Sequence, residues 1–208
     1  MTRDDDRKTP AAGLLLAAGG GRRLGGRPKA LLEHRGSLLV ERAVNVLLTA
    51  GCDRVHVVLG AAAEVVRERA DLTGCVLVDN PDWEQGMGSS LRAGLDSLAG
   101  TGAPAALVLL VDQPGIGPEA VARVLGARER GVAGEDPMAL ASAAYAGARG
   151  HPVLLGAGHW AGVAAAATGD RGARAYLKAH EDAIAVVECG DVARPYDIDT
   201  EDDLGHLE

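Results

Sequence analysis

Three consecutive glycines, Gly19-Gly20-Gly21, stand between the apolar runs Leu14 to Ala18 and Ala30 to Leu32, with a basic segment on their far side. An apolar run of strand length that stops at glycines predicts a buried strand opening into a bare turn. Glycine lacks the side chain that would hold a ligand away from the backbone N–H groups. A row of such amides forms an anion-binding concavity. Arg22, Arg23, Arg27, Lys29 and Arg35 outnumber the single acid Glu33, so residues 22 to 35 carry +4 on a chain of net charge −8. The cationic turn suits a bound polyphosphate. The acidic balance of the rest argues against binding DNA or RNA backbones.

Two common glycine motifs do not fit. A phosphate-binding P-loop needs a Gly before its Lys and a Ser or Thr after it, and Lys29 is flanked by Pro28 and Ala30. The dinucleotide fingerprint G-x-G-x-x-G fails at Leu24, and the next apolar run, Val55 to Leu59, ends in Gly60 rather than a ribose-binding acid. The pattern that remains, from Leu16, is L-A-A-G-x-G-x-R-L-G-G-x-x-K-x-L-L. It resembles the signature of nucleotidyltransferases that load a nucleotide onto a small phosphorylated acceptor.

A length of 208 residues suits one domain, here expected over 11–208, with residues 1–10 as a charged, disordered tail. That tail lacks the apolar core of a signal peptide, and no apolar stretch is long enough to cross a membrane. With no Phe, two Trp and three Tyr, the core must be built from Ala, Val and Leu. Cys52, Cys75 and Cys189 are odd in number and widely spaced, which indicates neither a disulfide framework nor a zinc site. They read as small hydrophobes in a reducing cytoplasm.

Along the chain, Gly13 to Ala18, Arg54 to Leu59, Cys75 to Val78 and Ala105 to Val111 read as strands. Leu38 to Ala50, Ala61 to Ala70, Ser89 to Leu98 and Pro118 to Glu129 read as helices. This alternation predicts an α/β, Rossmann-like fold: a largely parallel sheet with helices on both faces. Further strands are expected at Ala139 to Tyr145, Val153 to Leu155 and Ala183 to Val187, with helices at Asp170 to His180 and Thr200 to Leu207. Gly19, Asn80 and Asp112 each follow a strand, which gathers them on the rim where open α/β sheets bind ligands.

Asp112 ends the most hydrophobic run. A carboxylate there is costly unless paired or metal-bound. Magnesium takes one or two carboxylates plus substrate phosphates, and capping of the helix near Pro118 is the alternative. Asp197 and Asp199 flank Ile198 and would project together from an extended segment. Asp199 serves equally as a helix cap, with Asp202 completing the capping end. In the segment from Asn80 to Leu91, Gly86 and Gly88 free the backbone while Ser89 and Ser90 offer cap hydroxyls at a helix start. Two later segments join glycines to cations: Gly147 to Pro152, with Arg149 and His151, and Thr168 to Arg174, with Arg171 and Arg174. The arginines suit an acceptor phosphate. His151 reads equally as a structural residue bonded to backbone.

Together these segments resemble the molybdenum cofactor cytidylyltransferases of the MobA-like NTP-transferase family. Beyond the glycine motif they are N-P-x-W-x-x-G-M-x-S-S-L from Asn80, D-Q-P from Asp112, R-G-H-P from Arg149, G-D-x-G-A-R from Gly169 and D-I-D-T-x-x-D-L from Asp197. The resemblance runs from Leu14 to Leu204 and implies a nucleotide-diphospho-sugar-transferase-like fold. It implies Mg2+ or Mn2+, and transfer of CMP from CTP to the terminal phosphate of molybdopterin with release of pyrophosphate. On that basis Leu16, Ala17, Ala18, Gly19, Gly20, Gly21, Arg23 and Lys29 bind the nucleotide, with Gly19 to Arg23 and Lys29 holding its triphosphate, and Asn80, Gly86, Gly88, Ser89 and Ser90 lie near base and ribose. Arg23, Lys29 and Asp112 form the catalytic set. Asp112, Asp197 and Asp199 are candidate metal ligands, and Arg149, His151, Arg171 and Arg174 candidate acceptor contacts. A transient contact with a molybdoenzyme or its chaperone is the implied partner.

Ala17-Ala18-Gly19 resembles the cytidylyl branch, whereas the guanylyl branch more often has two glycines there. Pro28 departs from the acid usual in guanylyl relatives, and Glu201 from the usual Pro after D-I-D-T. A guanylyltransferase acting on molybdopterin or phospholactate is the neighbouring alternative. A catalytically silent nucleotide-binding or cofactor-delivery protein is the alternative of another class, and an NAD(P)-dependent oxidoreductase is more distant.

Overall fold

The computed structural model describes residues 10–129 and 136–207. Apart from the exposed Pro10, the expected tail lies outside the described residues. Among the described residues nine strands form: β1 (Ala12–Leu16), β2 (Glu33–His34), β3 (Ser37–Leu38), β4 (Val55–Leu59), β5 (Val76–Asp79), β6 (Ala105–Leu110), β7 (Leu140–Tyr145), β8 (Ala148–Gly156) and β9 (Ile184–Glu188). The helices are α1 (Leu39–Thr49), α2 (Ala63–Arg69), α3 (Met87–Leu98), α4 (Pro118–Glu129), α5 (Trp160–Ala166) and α6 (Arg174–Ala179).

Seven strands make one sheet in the order β5-β4-β1-β6-β8-β7-β9. Only β8 runs against its neighbours. Strand periodicity divides the core in two. Leu15 and Ala17 of the first run, with Leu107 and Leu109, face α1 and α4. Leu14 and Leu16, with Val108 and Leu110, face α3 and α5. The expected parallel, doubly covered sheet is therefore present. Strands β1 and β6 lie side by side, Leu16 opposite Leu110, with β4 and β5 on the far side of β1. From this pair the chain runs on to β4 on one side and to β7 on the other, so the segments leaving β1 and β6 meet at a shared carboxyl-end rim.

Four local features differ from expectation. Residues 33–38 form a β2–β3 hairpin whose turn, Arg35-Gly36, takes positive φ at both positions. Helix α3 starts at Met87, two residues before Ser89. Strand β8 starts at Ala148, so the R-G-H-P segment lies in the sheet rather than in a loop. Its pairing with β7 jumps from Gly150 to Val153, leaving His151 and Pro152 as a bulge. Proline offers no N–H to a ladder, and a bulge accommodates it while re-aiming its neighbour. Finally, the helix expected over 170–180 is broken. A 3-10 turn covers Gly169–Arg171, Gly172 takes φ +50°, and α6 starts at Arg174. Arg171 and Arg174 thus sit on separate elements and share no helix face. The Ala-rich stretch before them folds as α5, packed on α3 through Val163 and Ala167.

Candidate active site

The loop after β1 closes on itself. Leu24 N–H and Gly26 N–H both donate to the Gly21 carbonyl, at 2.8 and 3.0 Å, while Leu24 is fully buried as its anchor. Gly21 has φ +60°, and a β-carbon there would fall 1.9 Å from the Arg27 carbonyl oxygen. No side chain fits. Gly20 faces the indole of Trp83, whose ring edge would lie 3.0 Å from any β-carbon added. Trp83 from the segment opening α3 therefore packs directly on the glycine loop.

The 3-10 turn Lys29–Leu31 returns the chain beneath this loop. Lys29 Nζ donates to Asp112 Oδ2 at 2.6 Å and also to Asp199 Oδ1. Arg23 stands 3.8 Å from Asp199, and Arg27 pairs with Glu201 at 3.2 Å. The basic segment after the glycines thus meets the acidic segment from Asp197. That segment is sewn to β6 by Ile198 N–H, which donates to the Asp112 carbonyl at 2.9 Å, and by the fully buried Ile198 side chain. Burial alone would lower the Lys29 pKa. Asp112 and Asp199 more than reverse this, so the ammonium is held charged.

The capping role expected of Asp199 and Asp202 belongs to Asp203. Its carboxylate accepts from Asp199 N–H, Thr200 N–H and the Thr200 hydroxyl, at 3.0, 2.7 and 2.8 Å. The Asp199 side chain is left free to face Lys29. Asp197 accepts from Gln113 Nε2 at 2.7 Å. Burial, and then the charges of Asp112 and Asp199, push the Asp197 pKa up. Among the described residues no three His, Cys, Asp or Glu side chains are grouped to hold a metal by themselves. A hard cation needing only one or two carboxylates still fits here: the donors are all oxygens, and a cationic ammonium already bridges Asp112 and Asp199.

Two cavities meet at this rim. The first, about 490 Å³, is lined by Leu16, Ala18, the three glycines, Arg22, Arg23, Lys29, Trp83, Gly86, Ser90, Asp112 and Asp199. The second, about 670 Å³, has an apolar floor including Val108, Val153, Leu155 and Ile184, under Arg149, His151, Arg171 and Arg174. Leu16, Met87, Leu110, Asp170 and Asp197 line both. Arg149 also pairs with Glu181 at 3.3 Å. The His151 ring makes no hydrogen bond among the described residues; its carbonyl accepts from Tyr145 instead. Burial, opposed by Asp197 and aided by Arg174, pushes its pKa down to about 4, so the imidazole facing the cavity is neutral.

Ala17, Asn80, Gly88 and Ser89 line neither cavity. Asn80 is 4% exposed and donates to both Ser89 and Ser90. Gly88 backs onto the chain at Ala167 and Thr168. The serines do not cap α3; their oxygens serve Asn80. Trp83 and Gln113 line these cavities from inside the N-P-x-W and D-Q-P motifs, where sequence alone assigns them no role of their own, and Asp170, which from sequence reads as a helix cap, lines both cavities instead.

The MobA-like NTP transferase domain matches residues 13–184. Nicotine blue oxidoreductase of Paenarthrobacter nicotinovorans is 42% identical over 193 residues, 89% of this chain and 90% of that protein. The crystal structure of a homologue of Mycobacterium tuberculosis Rv0371c, from Mycobacterium sp. strain JC1, superposes with a TM-score of 0.80 at 31% identity, covering 96% of each chain. Rv0371c itself, from strain H37Rv and in complex with manganese, superposes with a TM-score of 0.75 at 27% identity, covering 96% of this chain and 98% of that one. With a glycine cradle, a lysine held between carboxylates and a domain match over most of its length, this chain belongs to the MobA-like NTP transferase family and is a nucleotidyltransferase.

Proposed function

We propose that the protein transfers CMP from CTP to the terminal phosphate of molybdopterin and releases pyrophosphate. One observation carries this reading: a glycine-lined cationic cavity and an arginine-rimmed, apolar-floored cavity share the wall formed by Leu110, Asp170 and Asp197. A nucleotide in the first and a phosphorylated heterocycle in the second would bring donor and acceptor phosphates together. The motif resemblance supplies the identity of each substrate, and Ala17-Ala18-Gly19 supplies the preference for cytosine.

A phosphomonoester loses its second proton with a pKa of about 6, so the attacking oxygen is ionised at neutral pH and needs no general base. That oxygen bonds to the α-phosphorus of CTP. The bond from the α-phosphorus to the bridging oxygen breaks, and pyrophosphate leaves with the electron pair. The barrier is repulsion between polyanions and poor alignment, which cation clamps and fixed positions reduce. Arg23 and Lys29 face the phosphates from the glycine side. Asp112, with Asp199 or Asp197, would hold magnesium or manganese, which neutralises phosphate charge when bound.

The test is pyrophosphate release from each of the four NTPs, with and without molybdopterin. Release from CTP alone among them, and only with molybdopterin, is expected. Release from GTP shifts the assignment to guanylyl transfer, and no release from any of them overturns it. The 42%-identical relative, a nicotine blue oxidoreductase, favours a second reading, in which this protein is an oxidoreductase with nicotine blue or a similar compound as its acceptor. NADH or NADPH oxidation with such an acceptor, without pyrophosphate release, would establish it.

Arg174 tests the acceptor side. It opens α6 and lines only the wider cavity. Arg174→Ala should raise KM for molybdopterin by about tenfold, the loss of one charge-assisted contact, and leave KM for CTP nearly unchanged. An equal rise in both, or in neither, removes the assignment.

A further inference from the structure

We infer that Asn80 is a positioning residue that acts through Ser90, turning the Ser90 hydroxyl into an obligatory hydrogen-bond donor toward the bound nucleotide. This rests on the nucleotide-binding reading above. The amide orientation of Asn80 is fixed, because its Oδ1 accepts from Asp82 N–H at 3.0 Å and a backbone N–H can only donate. Its NH2 group therefore faces the serines, donating to Ser89 Oγ at 2.9 Å and Ser90 Oγ at 3.0 Å. Both serine oxygens must accept, so both serine protons have to go elsewhere.

Ser89 has an outlet. Its hydroxyl lies 2.9 Å from both the Asp82 and Gly86 carbonyls. Ser90 has none among the described residues. The carbonyl one helical turn behind it, that of Gly86, already takes Ser89 N–H and the Ser89 hydroxyl. Of the two serines only Ser90 lines the glycine-loop cavity, and it is 5% exposed. A buried hydroxyl proton without a partner is costly, so an acceptor atom of the nucleotide is favoured at this position. Asn80 thereby sets the polarity of the cavity wall without touching the ligand.

Asn80→Asp reverses the arrangement with almost no change of shape. The carboxylate still accepts from Asp82 N–H, but its second oxygen now accepts the Ser90 proton. CTP affinity, measured by calorimetry with excess magnesium, should fall about tenfold, the magnitude of one lost neutral hydrogen bond. Ser90→Ala should lose a similar factor and keep its thermal stability, since Asn80 retains Ser89. In the double variant the effect of Asn80→Asp should shrink to the repulsion between its new charge and the triphosphate, because its intermediary is gone, so the two losses should be less than additive. KM for molybdopterin should stay unchanged throughout.

Additive losses in the cycle overturn the proposal. So does wild-type CTP affinity in Ser90→Ala, which decides the matter even if Asn80→Asp does not fold. If the wild-type protein binds none of the four NTPs, the functional reading and this inference fall together. If it binds CTP without releasing pyrophosphate and the cycle is non-additive, only the functional reading falls.

Discussion

Lys29→Ala should lower kcat with CTP and molybdopterin by ~10²-fold while KM for CTP changes only a few-fold. The ammonium sits behind the glycine cradle, charged and in reach of both Asp112 and Asp199. In the proposed reaction charge grows on the departing pyrophosphate, so a fixed cation there contributes most in the transition state. A second effect separates this role from a merely structural one. Lys29 competes with any divalent ion for the same two carboxylates. Removing it should strengthen manganese binding, measured by titration of the free protein without nucleotide. Turnover within about threefold of wild type would show that Lys29 does not meet developing charge. Weakened manganese binding would show that it organises the carboxylates rather than competing for them.

The sheet was legible because its signals are periodic and local. Runs such as Ala105 to Val111 divide cleanly between two faces, and helices with one apolar stripe fill the gaps between them. What escaped the sequence depends on single backbone positions. Gly172 breaks a stretch whose composition otherwise reads as one helix, and the His151-Pro152 bulge has no periodicity to mark it. The site divides the same way. Glycines and rim carboxylates betray themselves by chemistry that has little other use at a strand end. The side chain of Asn80 is different, because a polar residue after a strand reads alike whether it faces a ligand or pins a neighbouring helix. Only its bonds to Ser89 and Ser90 distinguish the two. Likewise, capping by Asp203 instead of Asp199 or Asp202 depends on how a turn of a few residues winds, and that choice frees Asp199 for Lys29.

Asp112→Asn should abolish divalent-dependent turnover, a loss of at least ~10²-fold, with the fold retained. From sequence alone a carboxylate at the end of a buried strand looks isolated, and its neutral isostere would be expected to keep or raise stability. The structure changes that expectation. Asp112 accepts from Lys29 at 2.6 Å in a setting where both side chains are mostly covered. Removing one partner of such a pair leaves a charge less well compensated. Asp199 still contacts Lys29, so the deficit is partial, and Tm should drop by a few degrees rather than rise. Metal and lysine effects then separate by combination. If Asp112 acts chiefly as the counter-ion of Lys29, Asp112→Asn added to Lys29→Ala should cost nothing further in kcat. If it holds the divalent ion, the double variant should lose both the residual turnover and the manganese affinity that Lys29→Ala strengthens. Retention of that manganese affinity in the double variant would remove Asp112 from the metal site and leave it as the partner that keeps Lys29 in place.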